Sequence, residues 1–250
     1  MTRIICLASG KGGVGKTTLT ANLAAALASF KKSVVAIDGN TTTSNLGLHL
    51  GIPLYPKTLQ DVIKGKASVK EVIYHHQAGF KIIPADISLH KIMTPRTHEL
   101  VDVFYKLVGG SDFVLIDSAA GLGQEALAAV EAADEMITVT NPEMPSMIDA
   151  LKISKLAERM ETRNIGVIVN RVRGSRHELS VKDIRNFLDV QLLGHIPEDH
   201  KVHEAIAKSQ PVVTYAPRSP AAQQVMAIAA TLAGKKYTPR KQGMFGWLRL

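Results

Sequence analysis

Cysteine is almost absent from the chain. Among its 250 residues the only cysteine is Cys6, which lies in the apolar run 4–8. A single thiol excludes an intramolecular disulfide framework and any iron–sulfur or zinc site built from several thiolates. Cys6 itself is expected to be a small, buried hydrophobic residue.

Long uncharged apolar runs are also missing. No stretch reaches the roughly 18 residues of a membrane-spanning helix, and the apolar start of the chain leads straight into a glycine-rich loop. We therefore expect no signal peptide, and the expected location is the cytoplasm.

Acidic residues are absent from the last part of the chain, residues 235–250. This segment contains Lys235, Lys236, Arg240, Lys241 and Arg249, which carry +5 of the total net charge of +8. The body of the protein is thus only mildly basic. The tail is expected to be a separate electrostatic segment.

Short runs rich in Val and Ile alternate with helix-like stretches through the rest of the chain. Strands are predicted at 3–8, 33–37, 80–84, 113–116, 136–139, 165–169 and 192–196, and helices at 16–30, 96–108, 124–132, 146–161 and 221–233. Uniformly apolar strands between helices indicate a doubly wound α/β domain with a mostly parallel sheet. This domain is expected to span residues 1–234, followed by the tail at 235–250.

A nucleotide-binding motif separates the first predicted strand from the first predicted helix. Residues 10–17 read G-x-x-x-x-G-K-T, in the strand-to-helix context that the motif requires. Glycines let backbone N–H groups converge on phosphate oxygens, and the helix start adds its positive dipole end. The expected ATP-binding residues are Gly10, Lys11, Gly12, Gly13, Val14, Gly15, Lys16, Thr17 and Thr18.

Three of these side chains have separate expected roles. Lys16 should reach the β- and γ-phosphates, and the Thr17 hydroxyl should ligate Mg²⁺. Thr18 is expected to seat the α-phosphate or to cap the helix. A flexible glycine turn is the alternative interpretation of the loop, and the flanking strand and helix argue against it.

The loop contains a second lysine, Lys11. Its sequence, K-G-G-V-G-K-T-T, resembles the deviant Walker A motif of the MinD/ParA family of P-loop ATPases. The resemblance implies a SIMIBI-like P-loop fold and an ATP-dependent homodimer. In that dimer Lys11 reaches the partner's nucleotide and neutralises charge on its phosphates. A solvated loop lysine is the alternative.

Two predicted strands end in carboxylates. A strand-end aspartate in a P-loop protein is placed to hold Mg²⁺, directly or through water, and Asp38 and Asp117 occupy such positions. Together with Thr17 they form the expected metal site. The stretch 112–128 is similar to the second switch of the family, with Ala119 where a proline is usual.

The stretch 38–46 resembles the first switch of the family, with one departure. Asn40 stands where the family usually has an aspartate that engages the attacking water. Asparagine orients water but cannot accept a proton, so we expect slow hydrolysis. The expected catalytic residues are Lys11, Lys16, Asp38 and Asn40.

The adenine-reading residues are expected at two further strand ends. Asn170 is similar to asparagines that read adenine in this family, because an amide offers both a donor and an acceptor. Segment 196–199 resembles the second adenine-side loop, which adds Arg171, Pro197 and Asp199; strand-end capping is their alternative role. The N-K-x-D motif of guanine readers is absent, which favours ATP over GTP.

The tail carries apolar residues between basic ones. Met244, Phe245, Trp247 and Leu248 beside lysine and arginine are typical of a membrane interface. The membrane-targeting helix of MinD proteins occupies the same position. The alternatives are a disordered tail or one that folds back onto the body.

The resemblance runs from residue 3 to about 234 and favours the MinD branch, because residues 133–150 include T-N-P-E and a basic tail follows. It implies an ATPase that dimerises on ATP and Mg²⁺, attaches to an anionic membrane, and positions a division site or another structure. The protein would be cytoplasmic and peripherally membrane-associated, with an unidentified protein activator or cargo. The alternatives are a ParA-like partitioning ATPase that binds DNA non-specifically, and a nucleotide-gated adaptor with little catalysis.

Overall fold

A central sheet of eight strands is covered on both faces by helices. The computed structural model describes residues 1–52, 54–88 and 95–239. The strands are β1 (Arg3–Ala8), β2 (Val34–Asp38), β3 (Tyr74–His75), β4 (Lys81–Ile83), β5 (Phe113–Asp117), β6 (Glu135–Thr140), β7 (Arg163–Val172) and β8 (Leu192–Pro197). The helices are α1 (Lys16–Ser29), α2 (Leu46–His49), α3 (Leu59–Ile63), α4 (Thr97–Tyr105), α5 (Gln124–Glu131), α6 (Met144–Arg159), α7 (Val181–Leu188), α8 (His200–Ala207), α9 (Val212–Tyr215) and α10 (Pro220–Ala233), with a 3-10 turn at Val69–Val72.

The strand order places β1 inside the sheet, with later strands added on both sides of it. The order is β3-β4-β2-β5-β1-β6-β7-β8, and every neighbouring pair is parallel except β3 with β4. In such sheets ligands bind at the carboxyl ends of the strands, where the winding direction reverses. The loop after β1 lies at that point.

Two apolar layers enclose the sheet. Ile5 and Leu7 of β1 pack on the layer that includes α1 and α10, whereas Ile4 and Cys6 pack on the layer that includes α4 and α5. Successive strand residues point to opposite faces, so a strand buried on both faces reads as an unbroken apolar run. Cys6 is fully buried, as the sequence predicted.

The predicted α/β class, the mostly parallel sheet and the predicted strands are confirmed. Sequence reasoning missed the two-residue β3, the 3-10 turn, the short helices α2, α3 and α9, and the eight-residue helices α7 and α8. Helix α7 begins at the side-chain cap Ser180, and α8 begins at Asp199. Helices α7 and α8 have only eight residues each, half of them polar, so their apolar periodicity is brief and easily overlooked.

Helix α10 ends at Ala233, where the sequence predicted its end. Gly234 follows Ala233 in the left-handed conformation, with φ 65°, which suits glycine at a helix end. Beyond it, the Tyr237 ring packs edge-on against Phe30 at a centroid distance of 6.4 Å. The predicted membrane residues Met244, Phe245, Trp247 and Leu248 lie outside the described residues. Within the described ranges, no helix combines the length and hydropathy needed to cross a bilayer.

Candidate nucleotide site

The phosphate loop occupies residues 9–15, between the carboxyl end of β1 and the start of α1. Gly13 and Gly15 have φ values of 78° and 99°, which favour glycine. A Cβ atom on Gly15 would lie 2.3 Å from the side-chain nitrogen of Asn170, and one on Gly10 would lie 2.3 Å from the backbone oxygen of Asp149. The loop therefore fits tightly between α6 and the end of β7.

Lys16 is buried at the base of this loop. Its ammonium nitrogen donates to Ser9 Oγ at 2.9 Å, and Ser9 in turn donates to the Lys11 backbone oxygen at 2.7 Å. Burial lowers the pKa of Lys16, and the nearby Asp117 carboxyl opposes that shift. An ammonium group has three donors, so Lys16 keeps capacity for phosphate oxygens. Sequence reasoning missed Ser9, which immediately precedes the motif.

Asp38 and Asp117 are direct neighbours across the β2–β5 ladder. Asp38 is fully buried, and its carboxylate accepts hydrogen bonds from the Ser44 hydroxyl and from backbone N–H groups at Asn40, Asn45 and Leu46. Burial raises the pKa of Asp38 to about 6, although these hydrogen bonds act in the opposite direction. The first switch loop is thus folded around this carboxylate.

Asp117 is buried without such a set of donors. Its Oδ1 atom has no hydrogen-bond partner among the described residues. Burial, followed by repulsion from Asp38, raises the pKa of Asp117 to about 7, while Thr17 and Lys16 lower it. A buried carboxylate oxygen with no donor is costly, and a divalent cation would satisfy it.

The donor set fits Mg²⁺. Two carboxylates and the Thr17 hydroxyl supply oxygen ligands, which this small, hard cation prefers, and Mg²⁺ completes its shell with water and phosphate oxygens. Among the described residues no group of three or more His, Cys, Asp or Glu side chains is arranged to hold a metal ion. The structure brings the predicted residues together: Asp38 is the register partner of Asp117, and the Thr17 hydroxyl is hydrogen-bonded to Asp117.

The first switch loop is fastened at two places. Asn40 Oδ1 accepts from the backbone nitrogen of Thr43 at 3.0 Å and from its hydroxyl at 3.1 Å. Glu125, in the first turn of α5, accepts from the hydroxyl groups of Thr41 and Thr42 and from the Thr42 backbone nitrogen. Sequence reasoning missed Glu125, because these partners are distant in the chain.

A narrow cleft of about 50 Å³ adjoins the phosphate loop. Its lining includes all four predicted adenine-side residues, Asn170, Arg171, Pro197 and Asp199, together with Gly15 and Thr18. The apolar walls were not predicted individually; they comprise Leu19, Ile196, Val202, Ile206, Val212, Ala221 and Val225. A purine ring requires such apolar faces with a few polar groups at the edge.

An irregularity in β7 aims two of these residues at the cleft. The β7–β8 register shifts between Val169 and Val172, and Arg171 adopts a φ of 57°. The Asn170 side-chain nitrogen donates to the Val14 backbone oxygen at 2.7 Å, so Asn170 fastens the phosphate loop to β7. Its other amide atom, an acceptor, is suited to an adenine amino group.

Asp199 lies in the cleft, but its carboxylate oxygens already have partners. They accept from the backbone nitrogens of Lys201 at 2.9 Å and Ala221 at 3.1 Å, which caps α8 and fastens the start of α10. Burial alone would raise the pKa of Asp199; these hydrogen bonds reverse the shift and lower it. The side chain of Asp199 thus caps the start of a helix, whereas the alternative role expected from the sequence was capping of a strand end.

Two predicted phosphate-loop side chains lie at the margin of the site. Lys11 is exposed on the loop, where it is free to reach a second molecule. Thr18 lines the cleft, and its hydroxyl lies 3.3 Å from His49 Nε2 of α2. The described residues thus bring together the phosphate loop, both aspartates and the adenine-side residues at one edge of the sheet.

Comparison with known proteins agrees with this geometry. The pattern of the CobQ/CobB/MinD/ParA nucleotide-binding domain matches residues 5–212. The chain belongs to this family. An ATP-binding protein of Methanocaldococcus jannaschii is 46% identical over 233 residues, covering 93% of this chain and 88% of that protein. The chain thus carries a nucleotide-binding domain of the CobQ/CobB/MinD/ParA type.

Solved structures of MinD proteins share the fold of this family member. MinD of Pyrococcus horikoshii, complexed with Mg-ADP, has a TM-score of 0.89 and 37% identity, covering 93% of this chain and 96% of that one. MinD in the MinC:MinD complex of Aquifex aeolicus has a TM-score of 0.84 and 33% identity, covering 96% and 98%. The predicted resemblance to the MinD/ParA family is confirmed.

Proposed function

We propose that this protein is a MinD-like ATPase that binds ATP with Mg²⁺, dimerises in the bound state and attaches to an anionic membrane through its tail. Nucleotide hydrolysis then releases the dimer, and the cycle positions a division site or another cellular structure. Residues 1–234 form the ATPase domain in this proposal, and residues 235–250 form the membrane tail.

The observation that carries the proposal is the unpaired, buried Asp117 Oδ1 next to Asp38 and close to Lys16. A bound Mg²⁺ would offset the negative charge of the phosphates, held by Thr17, Asp38 and Asp117. Lys16 binds the β- and γ-phosphates, and backbone N–H groups of the loop surround them. Asn170 and Arg171 hold the base in the apolar cleft.

Dimerisation in this proposal depends on Lys11. Its exposed ammonium group would contact the nucleotide of the partner molecule and stabilise charge on the phosphates. We expect Lys11→Ala to bind ATP nearly as well as the unaltered protein but to stay monomeric with ATP and Mg²⁺, measured by light scattering after size exclusion. Lys182→Ala, an exposed lysine of α7, is the control and should still dimerise. ATP-dependent dimers of the Lys11 variant would contradict the proposed role.

Membrane attachment is tested by co-sedimentation with vesicles. Full-length protein should pellet with phosphatidylglycerol vesicles when ATP and Mg²⁺ are present and should stay in solution with ADP, because two weakly binding tails gain avidity in a dimer. A chain ending at Pro239 keeps every contact of the described body and serves as the control. DNA co-sedimentation that survives this truncation, without vesicle binding, would support the ParA-like alternative instead.

One contact favours a second candidate, a nucleotide-gated adaptor with little catalysis. The Oδ1 atom of Asn40, which would orient the attacking water, is already engaged by Thr43. Asn40 therefore supports slow hydrolysis in either proposal. Single-turnover measurements separate them: an ATPase converts its bound ATP to ADP within the lifetime of the complex, whereas an adaptor releases ATP unchanged.

A further inference from the structure

A cavity of about 520 Å³ opens at the amino edge of the sheet, opposite the nucleotide site. Its floor is formed where β2 and β4 begin, at the register pair Val35 and Lys81. The lining residues are Val35, Ser68, Val69, Lys70, Ile73, Lys81, Lys106, Leu107, Gly110 and Ser111. This lining contains three lysines and several aliphatic side chains but no carboxylate.

The three cavity lysines, Lys70, Lys81 and Lys106, form no ion pair or side-chain hydrogen bond within residues 1–52, 54–88 and 95–239. In the same ranges Lys57, Lys152, Lys155 and Lys201 do pair with acids. The Ser111 hydroxyl on the same wall is buried without a partner. The cavity thus presents several unused donors to an anion.

Exposed apolar side chains lie on and just after α4, the helix that precedes the lining residues Lys106 and Leu107. Val101, Tyr105 and Val108, along α4 and just after it, are 42%, 78% and 50% exposed. Residues four apart on a helix share one face, so Val101 and Tyr105 point the same way, and Lys106 is the next residue along the chain. Basic residues next to exposed aliphatic and aromatic ones are suited to the headgroup region of an anionic bilayer.

The C-terminal tail begins on the same side of the body as this cavity. Thr2 donates to the Ser111 backbone oxygen and accepts from the Gly109 nitrogen, so it lies against the cavity wall. The next residue, Arg3, donates to the Leu232 backbone oxygen at 2.9 Å, close to the end of α10. Residues 235–239, with exposed Lys235 and Lys236, therefore begin on the same side of the molecule as the cavity.

The charge and the apolar walls of the cavity favour anionic lipid over two other candidate occupants, the tail and DNA. The tail carries +5 and would be repelled by the cavity lysines, and DNA would make no use of the aliphatic walls. We propose that the amino edge is a second membrane contact, in which Lys70, Lys81 and Lys106 bind lipid phosphates and the cavity takes apolar lipid segments. This inference rests on the proposed membrane function and adds a contact to that of the tail.

The test compares two matched variants of the full chain with ATP and Mg²⁺. In K70Q/K106Q two exposed cavity lysines lose their charge, and in K182Q/K208Q two exposed lysines elsewhere lose theirs. On phosphatidylglycerol vesicles we expect about thirtyfold weaker binding for K70Q/K106Q, because each of the two basic residues near anionic lipid contributes about 1 kcal/mol. The control pair should bind like the unaltered protein, and both variants should keep their affinity for ATP.

Equal vesicle binding by both variants would overturn the second contact and leave the tail proposal standing, whereas no binding by the unaltered protein would overturn the membrane function itself. Hydrogen exchange of residues 69–73 and 106–111 gives a second readout. We expect it to slow on anionic vesicles. If hydrogen exchange of these residues is already slow in the full chain without vesicles and becomes faster in a chain ending at Pro239, the tail fills the cavity. If the unaltered protein binds DNA and only K70Q/K106Q loses that binding, DNA is the occupant. Either result would overturn the inference.

Discussion

The two edges of the sheet differ in the exposure of their charged side chains. At the carboxyl edge Lys16, Asp38 and Asp117 are 7%, 0% and 1% exposed. At the amino edge Lys70 and Lys106 are exposed and unpaired. Buried charges cost stability unless specific partners compensate, whereas exposed charges cost little and act through the surrounding solvent. Substitutions at the carboxyl edge should therefore have large, local effects that depend weakly on salt.

The largest effect is expected at Lys16. Replacing Lys16 with alanine removes the buried ammonium group that faces the phosphates, so the affinity for Mg-ATP should fall by about 100-fold or more. Isothermal titration calorimetry measures this directly. Lys106→Ala, at the other edge, is the control and should leave the affinity unchanged. Near-normal ATP binding by the Lys16 variant would remove the basis for the nucleotide site.

A smaller effect is expected from backbone crowding within the loop. Gly15→Ala places a Cβ 2.3 Å from the Asn170 side chain and in a strained backbone conformation, whereas the Cβ of Gly12→Ala lies 3.7 Å from its nearest neighbour, Ala120. We expect about tenfold weaker ATP binding for Gly15→Ala, since the cost is of order 1–3 kcal/mol, and little change for Gly12→Ala. Equal affinities in both variants would show that the loop does not need this fit.

A substitution at Asn40 tests whether a third carboxylate at the carboxyl edge speeds ATP hydrolysis. Asn40→Asp should speed single-turnover ATP hydrolysis about tenfold, because a carboxylate accepts a proton and an amide does not. Asn40→Ala is the control, since it frees Thr43 without adding a carboxylate. An unchanged rate in Asn40→Asp would mean that Asn40 does not limit hydrolysis, and an equal gain in both variants would assign the limit to the loop.

The sequence predicted the carboxyl edge better than the amino edge, for physical reasons. The phosphate loop has strict local requirements, such as glycine at positive φ and a lysine at the helix start, so its pattern is readable. The Glu125 contacts with Thr41 and Thr42 and the cavity around Lys81 and Lys106 join distant segments. Contacts between distant segments produce no periodicity or fixed residue spacing in the sequence, so the sequence alone does not predict them.

Strand-end aspartates show the same limit within the site. The sequence predicted that Asp38 and Asp117 would face Mg²⁺, because apolar strands precede both. It did not predict that four donors surround Asp38 while Asp117 Oδ1 has none. That difference arises from how the loop 40–46 folds over β2. It leaves the charge of Asp117 less compensated than that of Asp38.

The smallest effect is therefore one of stability rather than activity. The pKa of Asp117 is raised to about 7, above its unfolded value of 3.8, so folding favours the protonated carboxyl. Ionisation of this buried carboxyl lowers the free energy of unfolding. The loss of stability is absent below the unfolded pKa, grows as pH rises, and is complete above about pH 7. Asn lacks this charge, so Asp117→Asn should stabilise the nucleotide-free protein at pH 8.

Thermal unfolding at two pH values measures that stabilisation. We expect the Tm of Asp117→Asn at pH 8 to exceed that of the unaltered protein by more than about 2–4 °C, the shift that roughly 1 kcal/mol produces in a chain of this size, because a pKa raised from 3.8 to about 7 corresponds to a larger difference. The difference should vanish near pH 4, and Mg-ATP should stabilise only the unaltered protein. Asp134→Asn, at an exposed position, is the control. A destabilised Asp117→Asn protein at pH 8 would mean that other groups in the body compensate the charge of Asp117. The charged side chains of the two edges would then differ in exposure but not in their cost to folding stability.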